Sequence, residues 1–359
     1  MINPVDLLEV RMHGNLVGRL TMAPDLVAVF EYDASWIASG FSISPFYLPL
    51  RAGVFTAKRD PFDGLFGVFN DSLPDGWGNL LLDRLLLKNV IQPASLNPIG
   101  RLSIVGSSGM GALTYHPENK LIADQKYTHL NDLSLEVEKI LHEESSDFLE
   151  ELFEKGGSSG GARPKVLVQV DGEEWLIKFK SSEDPDDIGQ REYQYSQLAK
   201  KCGIEMPETR LFENRFFGVK RFDRVNGRRF HVHSASGLLY ASHRFPSLDY
   251  AGLFNATMVL TRNIEELKKL FRQMVFNILI ENKDDHAKNF SFIYDGERWY
   301  LSPAYDLLKS NGFNNQHSTT INGKGRPEKD DIFEVAKQAG LSKKTAQIIY
   351  EEVKDNIRS

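Results

Sequence analysis

The sequence predicts an α+β protein whose first third is rich in strands and whose last third is mainly helical. Three observations predict this class. A β-hairpin pattern opens the chain, a glycine-rich stretch at 156–165 precedes a second hairpin pattern, and a long amphipathic helix pattern begins near residue 264. Apolar content of 41% and charged content of 26% over 359 residues are ordinary for a globular protein with more than one domain.

Strand signals dominate the first part of the chain. LLEVRM and LVGRLTM flank the turn HGN, and LVAVFEY predicts a further strand. A turn-rich segment at 71–75 is followed by GNLLLDRLLLKNV, which has helical periodicity. A polar stretch at about 115–130 then marks a boundary, so we predict an N-terminal domain over residues 1–115.

The next segment combines helices with a sheet. LNDLSLEVEKILHE and SSDFLEELFEK have helix patterns, and GGSSGGARPK then leads into the strands KVLVQV and EWLIKFK, joined by the turn Asp171-Gly172. A third strand pattern is FFGVKRF at 216–222. We therefore predict a second domain over residues 116–222.

The last segment is predicted to be mostly helical. Apolar residues recur at helical spacing between 264 and 279, and Asn263 with Glu266 resembles a capping box. A polar loop, a hairpin turning at Asp295-Gly296 and two short helix patterns follow. These patterns predict a helical domain over residues 223–359.

Charge and cysteine content indicate the setting. With 43 basic and 49 acidic residues, the net charge of −6 argues against a protein that binds nucleic acid by itself through phosphate contacts. The lone Cys202 fits a reducing compartment. The opening segment lacks the apolar core of a signal peptide, and no apolar run approaches the ~20 residues that span a bilayer. We expect a cytoplasmic protein.

The segment Asp284-Asp285-His286-Ala287-Lys288-Asn289 carries the strongest chemical signal. Kinase catalytic loops hold an Asp base and a metal-binding Asn five positions later, the spacing of Asp284 and Asn289. Asp306, just past the predicted hairpin, has the place of a second metal-binding carboxylate. An amide oxygen and a carboxylate suit Mg²⁺ together with ATP phosphates. The alternative is a polar loop that only caps a helix end.

Two further features fit phosphoryl transfer. Lys178 lies between Ile177 and Phe179 in a strand, as does the kinase lysine that contacts the α- and β-phosphates, although a solvated strand lysine is the alternative. The glycines of GGSSGGARPK would let backbone N–H groups approach phosphates, although a flexible linker has the same composition.

A rival motif overlaps the glycine-rich stretch. Residues 157–161 match G-x-S-x-G, the hydrolase nucleophile elbow, with Ser159 as the nucleophile. That elbow follows a strand and opens a helix, whereas here a helix pattern precedes it and a strand pattern follows. The order of elements therefore favours the kinase interpretation.

Taken together, these segments resemble the HipA family of bacterial toxin kinases over nearly the whole chain. LVGRLTM, FEYDASWI and FNDSLPDGWGNLLLDRL resemble its N-terminal subdomain, GGSSGGARPK its glycine-rich loop, and KRFDR its hinge. NKDDHAKNFSF resembles its catalytic loop and YDLL the segment with its second metal-binding Asp. The resemblance implies a two-lobed, protein-kinase-like fold and Mg-ATP-dependent phosphorylation of Ser or Thr.

Family roles can be assigned residue by residue. The resemblance implies that Asp284 is the base, that Asn289 and Asp306 bind Mg²⁺, and that Ser158, beside Ser159, is the autophosphorylation site. The residues implied to contact ATP are Ser159, Gly160, Gly161, Ala162, Lys165, Lys178, Lys220, Arg221, Phe222, His286 and Lys288.

The resemblance also implies partners. These are a HipB-like helix-turn-helix antitoxin, through which the complex would bind DNA, and a protein substrate of the aminoacyl-tRNA synthetase class. Two other functions remain open: a pseudokinase that binds ATP or the antitoxin without turnover, and a small-molecule kinase on the same fold.

Overall fold

The structure is a computed structural model of the chain, and it describes residues 4–120, 129–157, 160–242 and 245–359. The strands are β1 (Leu7–Met12), β2 (Asn15–Met22), β3 (Ala28–Tyr32), β4 (Val54–Thr56), β5 (Leu113–His116), β6 (Lys165–Val170), β7 (Glu173–Lys178), β8 (Thr209–Phe212), β9 (Phe216–Lys220), β10 (Arg224–Val225), β11 (Arg228–Arg229), β12 (His231–Ser234), β13 (Leu248–Asp249), β14 (Ser291–Tyr294), β15 (Trp299–Leu301) and β16 (Thr319–Thr320).

The α-helices are α1 (Ala34–Ser39), α2 (Gly67–Asn70), α3 (Gly76–Lys88), α4 (Pro98–Val105), α5 (Leu130–Leu141), α6 (Leu149–Gly156), α7 (Ile188–Lys201), α8 (Ala235–Leu239), α9 (Tyr250–Thr261), α10 (Ile264–Leu279), α11 (Lys329–Gln338) and α12 (Lys343–Arg358). Short 3₁₀ turns occur at Pro93–Ser95, Ala287–Asn289 and Phe313–Asn315. No helix in the described ranges is both long and apolar enough to cross a membrane.

The chain forms two compact units. The first comprises Met1–Gln190 and Arg210–His231, and the second comprises Arg191–Thr209 and Val232–Ser359. The division into domains 1–115, 116–222 and 223–359 stays a prediction.

The first unit contains two larger antiparallel sheets. One has the strand order β4-β3-β2-β1-β5 and the other β6-β7-β9-β8. The predicted opening hairpin is present as β1–β2, and its turn places His13 and Gly14 at positive φ, as a type I′ turn requires. The predicted hairpin after the glycine-rich stretch is β6–β7.

Helices α3, α5 and α6 bury their apolar faces against the second of these sheets. Trp77 and Leu81 of α3 share one core with Val137 of α5 and with Trp175 and Ile177 of β7. Each of these five side chains is at most 2% exposed. The helix that follows the turn at 71–75 therefore packs on the sheet that carries Lys178.

The second unit is mainly helical. Helix α10 is amphipathic, and its apolar face packs on α9 and α12. The rings of Phe254 in α9 and Phe271 in α10 lie 6.5 Å apart between their centroids. The small sheet β12-β14-β15 lies at the end of the loop that follows α10. This loop, residues 281–290, holds the predicted catalytic residues.

The predicted capping box at the start of α10 is only half formed. Asn263 caps the helix by accepting the backbone N–H of Glu265 at 3.0 Å. The Glu266 side chain is buried and accepts the backbone N–H of Leu301 at 2.9 Å. The Glu266 carboxylate that a capping box would bond to the backbone of Asn263 is therefore bonded to strand β15 instead.

Candidate active site

The two aspartates that begin the catalytic loop have opposite environments. Asp284 is exposed, and its backbone N–H donates to Ser310 Oγ at 3.0 Å. Asp285 is 0% exposed. Of the two carboxylates, only that of Asp284 can reach a substrate hydroxyl.

Asp285 accepts a full set of hydrogen bonds inside the second unit. Its Oδ1 accepts the backbone N–H groups of Ser318 (2.9 Å) and Thr319 (3.3 Å). Its Oδ2 accepts His317 Nδ1–H (2.9 Å) and the hydroxyl of Tyr250 (3.2 Å). Burial, and next the charge of Asp285, raise the pKa of Tyr250 well above its usual value, so this hydroxyl stays protonated. Such donors are what a buried carboxylate needs.

Asn289 is oriented by the backbone of the proposed base. Its Nδ2 donates to the carbonyl oxygen of Asp284 at 2.7 Å, and the side chain is buried in the short 3₁₀ turn. Because the amide nitrogen is committed to this bond, Oδ1 is the end of the amide that can bind a cation. An amide oxygen fits the oxygen ligands that Mg²⁺ prefers.

Asp306 is exposed and has a left-handed backbone conformation, with φ of 54°. Its carbonyl oxygen accepts Asn282 Nδ2–H at 3.1 Å, and the hydroxyl of the preceding Tyr305 donates to the carbonyl oxygen of Lys288 at 2.7 Å. These bonds attach the Asp306 segment to the catalytic loop, so Asp284, Asn289 and Asp306 belong to one connected structure. Asn289 and Asp306 supply a donor set that fits Mg²⁺.

His286 and Lys288 lie in the same loop and are half-buried. His286 caps the 3₁₀ turn, because its Nδ1 accepts the backbone N–H of Lys288 at 3.3 Å. This bond leaves the ring proton of a neutral His286 on Nε2. The implied contacts of both residues with ATP stay predictions.

In the first unit, the described part of the glycine-rich stretch packs on the start of α3. The Gly161 carbonyl oxygen accepts the backbone N–H of Trp77 at 3.3 Å, and the Gly161 N–H donates to Asp75 Oδ2 at 3.4 Å. A Cβ atom at Gly78 would overlap the carbonyl oxygen of Gly157. The stretch is therefore held in place, unlike a flexible linker. Ser158 and Ser159 lie outside the described residues.

Two lysines lie side by side beyond this stretch. Lys165 and Lys178 are register partners in β6 and β7, so their side chains project from the same face of the sheet. Lys178 Nζ lies 5.6 Å from the centre of the Phe217 ring. Lys165 is 4% exposed, and its Nζ donates to the carbonyl oxygen of Gly160. The structure thus brings the predicted lysines and the described glycines together.

The implied hinge, Lys220 to Phe222, ends β9 and continues into an ion-pair cluster. Lys220 Nζ pairs with Glu173 at 2.9 Å. The backbone N–H of Arg221 donates to the carbonyl oxygen of Glu174, and its guanidinium pairs with Asp223 at 2.6 Å. Any backbone contact of Arg221 with adenine would therefore use its carbonyl oxygen.

Asp223 joins this segment to the loop before β5. Besides Arg221, its carboxylate accepts Arg224 (2.9 Å) and the backbone N–H of Gly111 (2.8 Å). The carbonyl oxygen of Gly111 also accepts Arg229 Nε–H at 2.9 Å. Burial would raise the pKa of Asp223, but the charges and hydrogen bonds of the two neighbouring guanidiniums lower it to about 2.

Several residues of these sites are not indicated by any motif. Asp75 accepts the Gly161 N–H, and Tyr250 and His317 donate to Asp285. Of these four residues, only Asp285, the second Asp of the DDHAKN segment, carries a signal in the sequence. The pattern that could have indicated Asp285 is the pair of adjacent aspartates between a buried helix and a buried strand, where only one of the two side chains can face solvent.

Comparison with known proteins identifies the family. Models of the HipA N-terminal domain and the HipA-like C-terminal domain match residues 8–116 and 157–359. The Sinorhizobium fredii protein named "Putative kinase Y4dM" is 23% identical over 380 residues, 95% of this chain and 87% of that protein. A second protein from that organism, "Putative kinase Y4mE", is 26% identical over 352 residues, 85% of this chain and 78% of that protein.

A solved structure agrees on the fold. The Shewanella oneidensis toxin–antitoxin complex of HipA, HipB and operator DNA aligns with a TM-score of 0.75 and 19% identity, over 98% of this chain and 88% of that chain. The predicted α+β, HipA-like fold is therefore confirmed. The match to the HipA-like C-terminal domain alone covers more than half of this chain, and the chain therefore belongs to the HipA family.

Proposed function

We propose that this protein is a Ser/Thr protein kinase that transfers the γ-phosphate of ATP in the presence of Mg²⁺. One observation carries the proposal: the exposed carboxylate of Asp284 lies in a loop whose backbone orients Asn289 and is bonded through Asn282 to Asp306. A base, an amide oxygen and a second carboxylate are the protein groups that phosphoryl transfer requires.

The reaction uses these groups as follows. The substrate hydroxyl oxygen attacks the γ-phosphorus, the bond from that phosphorus to the β–γ bridging oxygen breaks, and ADP leaves. Asp284 accepts the hydroxyl proton. Asn289 and Asp306 would hold Mg²⁺, which would offset the negative charge of the β- and γ-phosphates.

The first unit supplies the nucleotide contacts in this proposal. Lys178, with Lys165 on the same face of the sheet, contacts the α- and β-phosphates. The backbone N–H groups of Gly160 and Ala162 approach the phosphates, while Gly161, whose N–H donates to Asp75, fixes the backbone between them. The bonds from the stretch to Asp75 and Trp77 support this role, because they fix its backbone before ATP binds.

Regulation and partners complete the proposal. Ser158, or Ser159 beside it, accepts a phosphate from the same enzyme, and the added negative charge inhibits ATP binding. The protein acts in the cytoplasm as a toxin and binds a HipB-like antitoxin. The aligned Shewanella structure, a toxin–antitoxin complex of HipA, HipB and operator DNA, supports this partner. Its substrate is a protein, for which the aminoacyl-tRNA synthetase class is the candidate.

The test is the intact mass of the purified protein after incubation with Mg-ATP, with ADP formation followed in parallel. The parent should gain one phosphate, and Asp284→Ala and Ser158→Ala should not. Gain in Ser158→Ala but not in Asp284→Ala would move the phosphosite, with Ser159 as the next candidate. If the parent neither gains phosphate nor forms ADP, the kinase proposal is wrong, and ATP binding alone would indicate a pseudokinase.

A pair of lysine variants makes the test sharper. Lys178→Met should remove phosphate gain, because it removes the cation assigned to the phosphates. Lys180→Met should leave it unchanged, since Lys180 pairs with the exposed Asp186 at 2.8 Å. Equal loss in both variants would contradict the role of Lys178.

A further inference from the structure

A chain of polar side chains runs beneath the catalytic loop in the second unit. We call it the Asp285 network, and its members are Tyr250, Asn277, Asn282, Asp285, Ser310 and His317. Five of these side chains, those of Tyr250, Asn277, Asn282, Asp285 and His317, are at most 4% exposed. They therefore cannot contact a substrate, and their hydrogen bonds act only within the protein.

One end of the network fastens the segment 317–319 to the catalytic loop. His317 and the backbone N–H groups of Ser318 and Thr319 donate to the Asp285 carboxylate, and Thr319 Oγ1 donates to the Asp285 carbonyl oxygen at 2.6 Å. Ser318 also donates from its backbone N–H and its hydroxyl to the Lys283 carbonyl oxygen, both at 3.0 Å. The loop is thus bonded on both sides of Asp284.

The other end reaches the proposed base and the second metal ligand. Tyr250 accepts Asn277 Nδ2–H (3.2 Å), and Asn277 accepts Asn282 Nδ2–H (3.0 Å). Asn282 in turn donates to the Asp306 carbonyl oxygen and accepts Ser310 Oγ–H (2.8 Å). Ser310 Oγ accepts the backbone N–H of Asp284. The network therefore fixes the backbones of Asp284 and Asp306 together.

We propose that His317 is a positioning residue for the phosphoryl transfer proposed above, acting through Asp285 on the backbone of the catalytic loop. Two of the other donors to Asp285 are backbone N–H groups, which any residue supplies. His317 is a side-chain donor from outside the loop, 32 positions along the chain, and at 4% exposure it cannot touch ATP or a protein substrate. Loss of its bond leaves Asp285 short of one donor and loosens the loop.

The experiment compares two variants of nearly equal shape. His317→Asn keeps a donor close to the place of Nδ1, whereas His317→Leu has no donor. Since small displacements of reacting groups cost up to about 10²-fold in rate, His317→Leu should lower the kcat for ADP formation from Mg-ATP by about that factor. The KM for ATP should change much less, and His317→Asn should recover most of the rate.

A control separates positioning from stability. Val353→Ala in α12 creates a cavity at a fully buried site away from the network, so it lowers stability without touching the loop. Amide hydrogen exchange of the peptide 283–290 is followed in all variants. His317→Leu should speed this exchange strongly and Val353→Ala weakly.

The outcomes distinguish this inference from the proposed function. If the parent forms no ADP, the kinase proposal is wrong, and the exchange data alone then decide whether His317 orders the loop. If the parent is active but His317→Leu matches Val353→Ala in kcat and in exchange, the positioning role is wrong. Equal kcat for His317→Asn and His317→Leu would also overturn it.

Discussion

The adjacent carboxylates of Asp284 and Asp285 have opposite surroundings. Asp284 is exposed to solvent, whereas Asp285 accepts four hydrogen bonds at 0% exposure. A buried carboxylate is stable only when donors replace its lost hydration. We therefore expect substitution of Asp284 to lower activity with little loss of stability, whereas substitution of Asp285 lowers stability directly.

Asparagine at each position tests this separation. Asp284→Asn removes the proposed base and should lower turnover by about 10²- to 10⁴-fold with little change in the free energy of unfolding. Asp285→Asn places an NH₂ group against N–H donors and should cost roughly 3 kcal/mol of stability. The measurements are urea unfolding and ADP formation for both variants. Equal stability loss in the two would contradict the assignment.

The sequence predicts Asp284 as the base but does not indicate the residues that bond its loop. The five-residue spacing to Asn289 is local and visible in the sequence. The partners of Asp285 come from Tyr250 and from 317–319, each more than 30 positions away, and such contacts arise only when the chain has folded. Similarly, nothing local indicates that Asp75 binds the glycine-rich stretch 86 positions later.

At the scale of elements, helix α3 and the glycine-rich stretch form one packed structure. Gly76 and Gly78 stand where the helix meets the stretch, and a Cβ at Gly76 would lie 2.9 Å from the Cα of Ala162. Trp77, between them, donates its indole N–H to the Lys165 carbonyl oxygen at 3.2 Å. The absence of side chains at these glycines lets the two backbones approach.

Alanine at Gly78 should therefore disturb the stretch. The new methyl group would overlap the Gly157 carbonyl oxygen, and we expect a loss of roughly 1–3 kcal/mol of stability and weaker ATP binding. Gly252→Ala in α9 is the control, because no atom beyond its chain neighbours and the nearby backbone of its own helix lies within 4 Å of its Cβ position. This variant should gain about 0.5–1 kcal/mol, as Ala does over Gly in a helix. Thermal unfolding and ATP titration would show the difference, and a Gly78→Ala variant as stable as the parent would contradict the packing.

The bonds of Asp223 with Arg221, Arg224 and the Gly111 N–H join the end of β9 to the loop before β5. They also make the stability of the fold depend on pH. The pKa of Asp223 falls from its usual value near 4 to about 2 in the folded chain. A carboxyl with a lowered folded-state pKa stabilises the fold above its unfolded-state pKa. This contribution, about 2 kcal/mol, is present above about pH 4 and is lost as the pH falls toward 2.

Asp223→Asn should remove that pH dependence. The stability gap between parent and variant should be largest near pH 6 and should narrow between about pH 4 and pH 2, as measured by urea unfolding across this range. Asp25→Asn is the control, since Asp25 is exposed and faces Arg59 at 3.8 Å. If the difference in stability between the parent and Asp223→Asn stayed constant with pH, the neighbouring guanidiniums would not lower the pKa of Asp223.

Elements with strong local signals were predicted well, and exceptions had long-range causes. The β1–β2 and β6–β7 hairpins and helix α10 follow from alternation, turn residues and helical spacing. The capping box failed because Glu266 binds Leu301 of β15 instead. Tertiary contacts such as this one override a local preference.

At the scale of the molecule, the compact units join segments that lie far apart along the chain. Residues on both sides of the polar stretch at 115–130 belong to the first unit, where α3 shares a core with α5, α6 and β7. The second unit takes up Arg191–Thr209 together with Val232–Ser359. Which segments share a core depends on which apolar faces meet after folding, and local composition does not indicate this; the division into three domains stays a prediction.

Ligand binding should couple to the stability of the whole chain. A ligand that binds only the folded state adds about 2.7 kcal/mol at 100 times its Kd, so ATP with Mg²⁺ should raise the unfolding midpoint. ATP with a chelator should raise it less, because Asn289 and Asp306 would then hold no metal between the protein and the phosphates. The measurement is thermal unfolding with each ligand, singly and together.

Variants assign the metal-dependent part of this shift. In Asn289→Ala and in Asp306→Ala, the unfolding midpoint with Mg-ATP should be no higher than with ATP and chelator. The control is Asp355→Ala, which removes an exposed acid in α12 and should show the same shift as the parent. Asn289 also bonds the Asp284 backbone, so Asn289→Ala without ligand should have a lower unfolding midpoint than Asp306→Ala without ligand. A full Mg-ATP shift in both variants would show that other groups bind the metal.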